Sequence, residues 1–189
     1  MSVRTLFPTR LYEDAVDVSE LADSVRALAA EDGAGRRWCR EHGYRGYTSY
    51  ASLDDLPYRD PAFADLVRAL DRHVRAFAEA SGFQLAKRLK LDSLWVNLLK
   101  PGAAHSGHIH PHSVVSGTVY VETPPGCGAI RFEDPRLPML MAAPLSDEPR
   151  FVSVDPAPGM VLLWESWLRH EVLAGNAKAE RISVSFNYA

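Results

Sequence analysis

The sequence predicts a mainly β chain whose N-terminal helices pack on one side of an antiparallel sandwich or barrel, of which a jelly roll is the best match. Three observations predict it. Helical periodicity is confined to the part of the chain before Gly82. Some seven or eight short apolar or alternating segments follow, separated by turns rich in Pro and Gly. Four of the seven histidines crowd into His105–His112, where roughly 0.3 would be expected at average usage. Such barrels often hold a metal inside one open end.

A length of 189 residues suits one domain with one sizeable core, with helical support at about 17–82 and a barrel at about 90–189. Apolar content of 47% with 24% charged residues is that of an ordinary globular protein. A net charge of −3 offers no basic excess for nucleic acid. Met1 to Pro8 lacks the apolar run of a signal peptide, and no segment reaches membrane-spanning length. Cys39 and Cys127 have no metal-type spacing, and a cytoplasmic chain would keep them unpaired.

Leu6 to Tyr12 reads as a first strand ending in acidic residues. Asp17 or Ser19 is expected to cap a helix over roughly Glu20–Ala30, with Leu21, Val25 and Leu28 on one face and Gly33 and Gly35 as its stop. Trp38 to Leu56, rich in Tyr, Gly and Ser, reads as irregular structure. Its tyrosines, Tyr44, Tyr47 and Tyr50, either pack or face a substrate. Asp60-Pro61 is a cap followed by proline at the first helical position. Phe63, Leu66, Val67, Leu70, Val74 and Phe77 then keep helical spacing up to Gly82, leaving His73 on the polar side.

Beyond Gly82 the period changes to two. Leu94–Leu99, Val115–Glu122, Ala129–Phe132, Phe151–Val154, Met160–Trp164 and Arg181–Tyr188 read as strands. Val115, Gly117, Val119 and Val121 share one face of theirs. Asp134-Pro135-Arg136 reads as a turn opening a loop to about Pro149 that would help shape an entrance. Cys127, between two glycines, reads as a turn residue.

Imidazole is the commonest metal ligand, and alternate residues of an extended strand share a face. Pro111 argues against helix at this point. His108 and His110 could therefore reach one ion, with His170, beyond the Met160–Trp164 strand, as the best third donor. Three imidazoles leave positions open on an octahedral metal. His105 and His112 read instead as neighbours or loop residues, with direct ligation by either left open. In the last strand Arg181, Ser183, Ser185 and Asn187 share a face. An arginine fork there could bind a carboxylate, with Ser183 adding a bond, or make an ordinary salt bridge.

His108-Ile109-His110-Pro111-His112 running on to Ser116-Gly117-Thr118-Val119-Tyr120 resembles the signature of bacterial 2-oxoglutarate/iron(II) oxygenases related to prolyl hydroxylases. Trp95-Val96-Asn97, Phe132 to Arg136, Pro158-Gly159 leading into Trp164, Trp167 to His170 and Arg181 to Asn187 match in the same order, as does the opening Leu6-Phe7-Pro8-Thr9. The resemblance implies a double-stranded β-helix and a hydroxylase-type dioxygenase. Its cofactors would be Fe(II) and the co-substrate 2-oxoglutarate, with release of succinate and CO2. It implies His108 and His170 as iron ligands, His110 as the third, and Arg181 as the binder of the distal carboxylate. Asn97, Thr118 and Tyr120 would line the cavity, with Tyr120 able to bond the co-substrate.

His110 stands where the wider superfamily carries Asp or Glu. That leaves two alternatives open: a three-histidine dioxygenase or cupin-like enzyme without 2-oxoglutarate, and a non-catalytic metal- or small-molecule-binding protein. The expected substrate is a small molecule or peptide. A homodimer is compatible with barrels of this kind.

Overall fold

The computed structural model describes residues 2–142, 147 and 149–189. Its helices are α1 (Leu21–Glu31), α2 (Gly33–Glu41), α3 (Leu56–Arg59) and α4 (Pro61–Ser81). Ten strands accompany them: β1 (Leu11–Ala15), β2 (Gly46–Thr48), β3 (Leu91–Leu99), β4 (His105–His108), β5 (Val115–Glu122), β6 (Ile130–Glu133), β7 (Phe151–Val154), β8 (Met160–Glu165), β9 (His170–Val172) and β10 (Arg181–Tyr188). A six-stranded sheet has the order β1-β8-β5-β10-β3-β2, and a four-stranded sheet the order β4-β9-β6-β7. All pairings are antiparallel.

Period two explains how the large sheet has two buried faces. From β10, Ile182, Val184, Phe186 and Tyr188 join the same apolar cluster as Val96 of β3 and Val115, Val119 and Val121 of β5. That cluster is closed by Phe63, Leu66, Leu70, Val74 and Phe77 of α4. Each such side chain contributes about 1.5–3 kcal/mol on burial. The alternate residues point the other way, towards the small sheet. There Tyr120, Leu162 and Trp164 pack with Ile130, Phe132 and Leu168. The polar remainder of this second face, including Asn97, Thr118 and Arg181, lines a cavity between the sheets.

The sequence reading of α4 holds in detail. Asp60 accepts the Ala62 N–H at 2.8 Å, Pro61 opens the helix, and Gly82 closes it at φ 72°, which a side chain disfavours. Several expectations need correction. The first strand begins at Leu11 and continues through Glu13 and Asp14, because its register is set by β8, with Leu11 opposite Trp164 and Ala15 opposite Met160. Asp17 accepts the Ser19 N–H in a turn and caps no helix; α1 starts at Leu21 after Glu20, with no side-chain cap.

Gly33 and Gly35 do not end the helical region. Asp32 accepts the Gly35 N–H at 2.8 Å and starts α2, so part of the segment expected to be irregular is helical and part is β2. His73 is half-buried. Its Nδ1–H donates to the Tyr12 hydroxyl at 2.9 Å, whose proton goes to Asp14, tying α4 to β1. The extended segment expected at the histidines is β4, but it ends at His108, short of His110, and β9 is a strand the sequence does not announce. Part of the Asp134–Pro149 loop, residues 143–146 and 148, lies outside the described residues. No helix among the described residues is long and apolar enough to cross a membrane.

Candidate metal centre

Strand β4 ends at His108, which pairs across the small sheet with His170, the first residue of β9. His110 lies two residues beyond the strand, so strand parity does not place it. Its backbone N–H donates to Ser166 O at 3.0 Å, and that bond turns it back beside His108. One ring nitrogen from each of His108, His110 and His170 lies within 4.8 Å of the others. Ring centroids are 4.4 Å apart for His108 and His170, 5.1 Å for His108 and His110, and 5.3 Å for His110 and His170.

The rings are oriented by the backbone. His108 Nδ1–H donates to Ser106 O at 2.8 Å, and His170 Nδ1–H to Leu168 O at 2.9 Å. A carbonyl only accepts, so in each ring the proton sits on Nδ1 and Nε2 keeps its lone pair. Burial depresses the pKa of His170 to about 3, an effect its bond to Leu168 only partly opposes. Burial, with His108 nearby, takes His110 to about 4. Both rings are thus neutral donors at neutral pH. Trp164 stands edge-on to His170 at 4.6 Å, and Trp95 lies nearly parallel to His110 at 6.0 Å.

The cavity beside the histidines measures about 80 Å³. Arg181, only 5% exposed, lines it; Nη1 donates to Gly128 O at 3.1 Å, but Nε has no partner. Tyr120, 1% exposed, has an unpartnered hydroxyl, and burial raises its pKa to about 12 against the opposing pull of Arg181. Among the described residues no carboxylate pairs with Arg181. A buried cation and a buried hydroxyl left with unmet donors each cost about 1–3 kcal/mol or more. An anion with two or more acceptor oxygens would satisfy both. Three imidazole donors suit a transition metal, and the residues present therefore fit a metal and a carboxylate side by side.

The other sequence candidates fall out differently. Thr118 and Asn97 line the cavity. Asn97 Oδ1 accepts the hydroxyls of Thr48 at 2.9 Å and Tyr44 at 3.1 Å, while Nδ2 donates to Ser185 Oγ at 3.1 Å. Ser183 is buried at 1% and does not line the cavity. His105 does line it, outside the three-histidine cluster, and its Nε2 bonds Tyr44 Oη at 2.9 Å. Burial, with Arg181 adding repulsion, lowers the His105 pKa to about 4. His112 is exposed, away from the cavity. Asp134 and Arg136 bond each other and line a separate groove with the N-terminal segment. The sequence left Tyr44 between packing and facing a substrate and gave Trp164 no role at the site; only the alternation along β8 could have pointed Trp164 inward.

Residues 93–187 match the family described as "Putative 2OG-Fe(II) oxygenase". No curated protein matches the sequence. Among solved structures, a Pseudomonas putida prolyl-4-hydroxylase superposes with a TM-score of 0.55 at 22% identity, over 95% of this chain and 92% of that one. The non-heme alpha-ketoglutarate-dependent epimerase SnoN from nogalamycin biosynthesis gives 0.63 at 18%, over 95% and 76%. A viral collagen prolyl hydroxylase from Paramecium Bursaria Chlorella virus-1, in its 2OG complex, gives 0.56 at 14%, over 94% of each chain. At these identities the likeness establishes the common architecture, the double-stranded β-helix formed by the two sheets.

Proposed function

The chain belongs to the 2OG-Fe(II) oxygenase family, and from that premise we propose that His108, His110 and His170 hold one iron(II) while Arg181 binds the far carboxylate of 2-oxoglutarate. One observation carries this assignment: the nearly buried Arg181, with its Nε unpartnered, lines the same cavity as the three ring nitrogens. When bound, iron(II) and 2-oxoglutarate supply the chemistry that activates O2 and oxidises a substrate C–H bond, with release of succinate and CO2.

The chain's own residues orient and shield. The carbonyls of Ser106 and Leu168 keep the His108 and His170 rings in the tautomer that presents Nε2. Arg181 and the Tyr120 hydroxyl offer donors to one carboxylate, and Thr118 and Asn97 complete a polar wall. Ile130, Val172 and Trp164 close the other sides and exclude water. The same reading takes residues 1–189 as one oxygenase domain, places it in the cytoplasm with Cys39 and Cys127 as free thiols, and gives it a small-molecule or peptide substrate.

A second reading is favoured by one feature, the absence of any carboxylate among the described residues from the cluster. A metal held by three neutral imidazoles keeps more positive charge, as in dioxygenases that need no 2-oxoglutarate. Anaerobic titration of iron(II)-loaded protein with 2-oxoglutarate separates the two. A visible charge-transfer band of the chelate, lost in Arg181→Ala, supports the first reading. Stoichiometric iron with no band supports the second, and failure to bind iron removes both.

A further inference from the structure

Beside the cavity at the histidines lies a wider groove of about 640 Å³, a size typical of small-molecule sites (~300–1,000 Å³). Trp95, Asn97, His105, His108 and His110 line both spaces. An occupant of the groove therefore lies against the candidate metal ligands. Its other walls come from the end of α2, the turn that follows, and the residues around β2.

The walls are aromatic. Trp38 and His42 stack at 4.3 Å and 15°. Tyr50 meets Trp95 edge-on at 5.2 Å and 70°, and the Trp95 ring continues the surface to His110. Tyr50 is 63% exposed and Ile109 is 46% exposed, so apolar surface stands open beside the cavity. Among the described residues, charge in the groove has one sign. No aspartate or glutamate among them lines it, and its permanent charge is that of Arg45. Arg45 Nη1 and Nη2 are pinned to Gly102 O and Pro101 O, each at 3.1 Å. Those carbonyls fix the guanidinium without neutralising it, and no carboxylate among the described residues pairs with it.

We propose that this groove is the site of the molecule to be oxidised, and that this molecule is small, carries a flat aromatic ring and bears an anionic group. The ring packs in the corner formed by Tyr50 and Trp95, where an aromatic contact, stacked on one ring and edge-on to the other, is worth about 0.5–1.5 kcal/mol beyond area burial. The anion is drawn to Arg45. A cationic molecule finds no acidic partner there and is rejected. Calling the occupant a substrate rests on the oxygenase reading above; its binding does not.

The test is calorimetric titration of the full chain, free of metal, with 2-naphthoate and with 2-naphthylmethylamine, which share a ring and differ in charge. The naphthoate should bind about tenfold more tightly or better. Tyr50→Ala, at an exposed position that does not endanger folding, should weaken both probes. Arg45→Gln should abolish the preference between them. Equal or tighter binding of the amine overturns the proposal, as does naphthoate affinity indifferent to both substitutions, or no naphthoate binding at all. Competition between naphthoate and 2-oxoglutarate in iron-loaded protein also overturns it, since it would put the probe in the inner cavity. The chelate band is read in parallel. Naphthoate binding as expected with no band defeats the oxygenase reading and leaves the groove assignment standing; a band without naphthoate binding does the reverse.

Discussion

The guanidinium carbon of Arg181 lies 5.5 Å from the centroid of the Tyr120 ring, and the two side chains share a cavity in which neither Arg181 Nε nor the Tyr120 hydroxyl has a partner. Removing either should therefore affect an incoming carboxylate more than the fold. Arg181→Ala should weaken 2-oxoglutarate binding to iron(II)-loaded protein by about ten- to a hundredfold, the worth of charge-assisted hydrogen bonds. Tyr120→Phe should weaken it less while leaving thermal stability unchanged or raised, because the lost hydroxyl was unsatisfied. Chelate-band titration and a melting curve on each variant check both halves. A Tyr120→Phe protein that melts lower with unchanged affinity would assign Tyr120 a packing role alone.

The three histidines should separate cleanly from their neighbours. His170→Ala, which removes the most deeply buried donor, should abolish stoichiometric iron binding. His105→Ala and His112→Ala should each retain one iron per chain. Metal analysis after anaerobic loading and desalting decides the matter. Loss of iron in His105→Ala would extend the donor set beyond the cluster.

Asp32 is a buried carboxylate at the start of α2 that accepts the Gly35 N–H at 2.8 Å, the Tyr47 hydroxyl at 2.8 Å and the Ser52 hydroxyl at 2.5 Å. Burial alone would raise its pKa, but these donors outweigh it and hold the pKa below the ordinary 3.8. A carboxyl with a depressed folded-state pKa stabilises above its unfolded value, and that contribution disappears as pH falls through the folded one. Asp32→Asn should cost about 1–3 kcal/mol near neutral pH. The gap between variant and parent should narrow below about pH 4. Denaturant melts across pH 3 to 7 test both; a gap independent of pH would exclude the ionised carboxylate as its source.

Gly117 in β5 has no room for a side chain. A Cβ there would meet Phe186 Cζ at 2.5 Å and Leu163 Cδ2 at 2.6 Å. Gly117→Ala should destabilise by about 1–3 kcal/mol, measured by chemical denaturation, because both neighbours are fully buried in the apolar cluster against α4. Unchanged stability would mean that the Phe186 ring can withdraw.

Legibility in the sequence followed the range of the interactions involved. Helix α4 was readable because its cap, proline and closing glycine are local, and β7 and β10 were readable to the residue because their apolar content and turns are local too. The histidine cluster was readable from composition. What escaped depends on partners far along the chain. Leu6 to Arg10 has strand-like residues but no partner strand, since β8 pairs only from Leu11 onward. Strand β4 was readable as extended but not its end at His108, and β9 is short and becomes a strand only by pairing with it through His108 and His170. Gly33 and Gly35 looked like a helix stop because Asp32 re-caps the chain between two helices with help from Tyr47 and Ser52. Tyr44 reaches His105 across 61 positions, and no spacing rule announces such a contact.

Strand β10 occupies the middle of the large sheet, paired to β3 on one side and β5 on the other, yet it is the last of the ten strands to be synthesised. Until Arg181–Tyr188 has left the ribosome, β3 and β5 each present a bare edge and the apolar cluster over α4 lacks four of its deepest side chains. The nascent chain thus carries two open sheet edges from the completion of β5 until β10 is made, the condition in which β proteins associate wrongly. The strand that ends this exposure also delivers Arg181, so completion of the sheet and arrival of the candidate carboxylate-binding group are one event. A chain stalled before β10 has all three histidines and no such group.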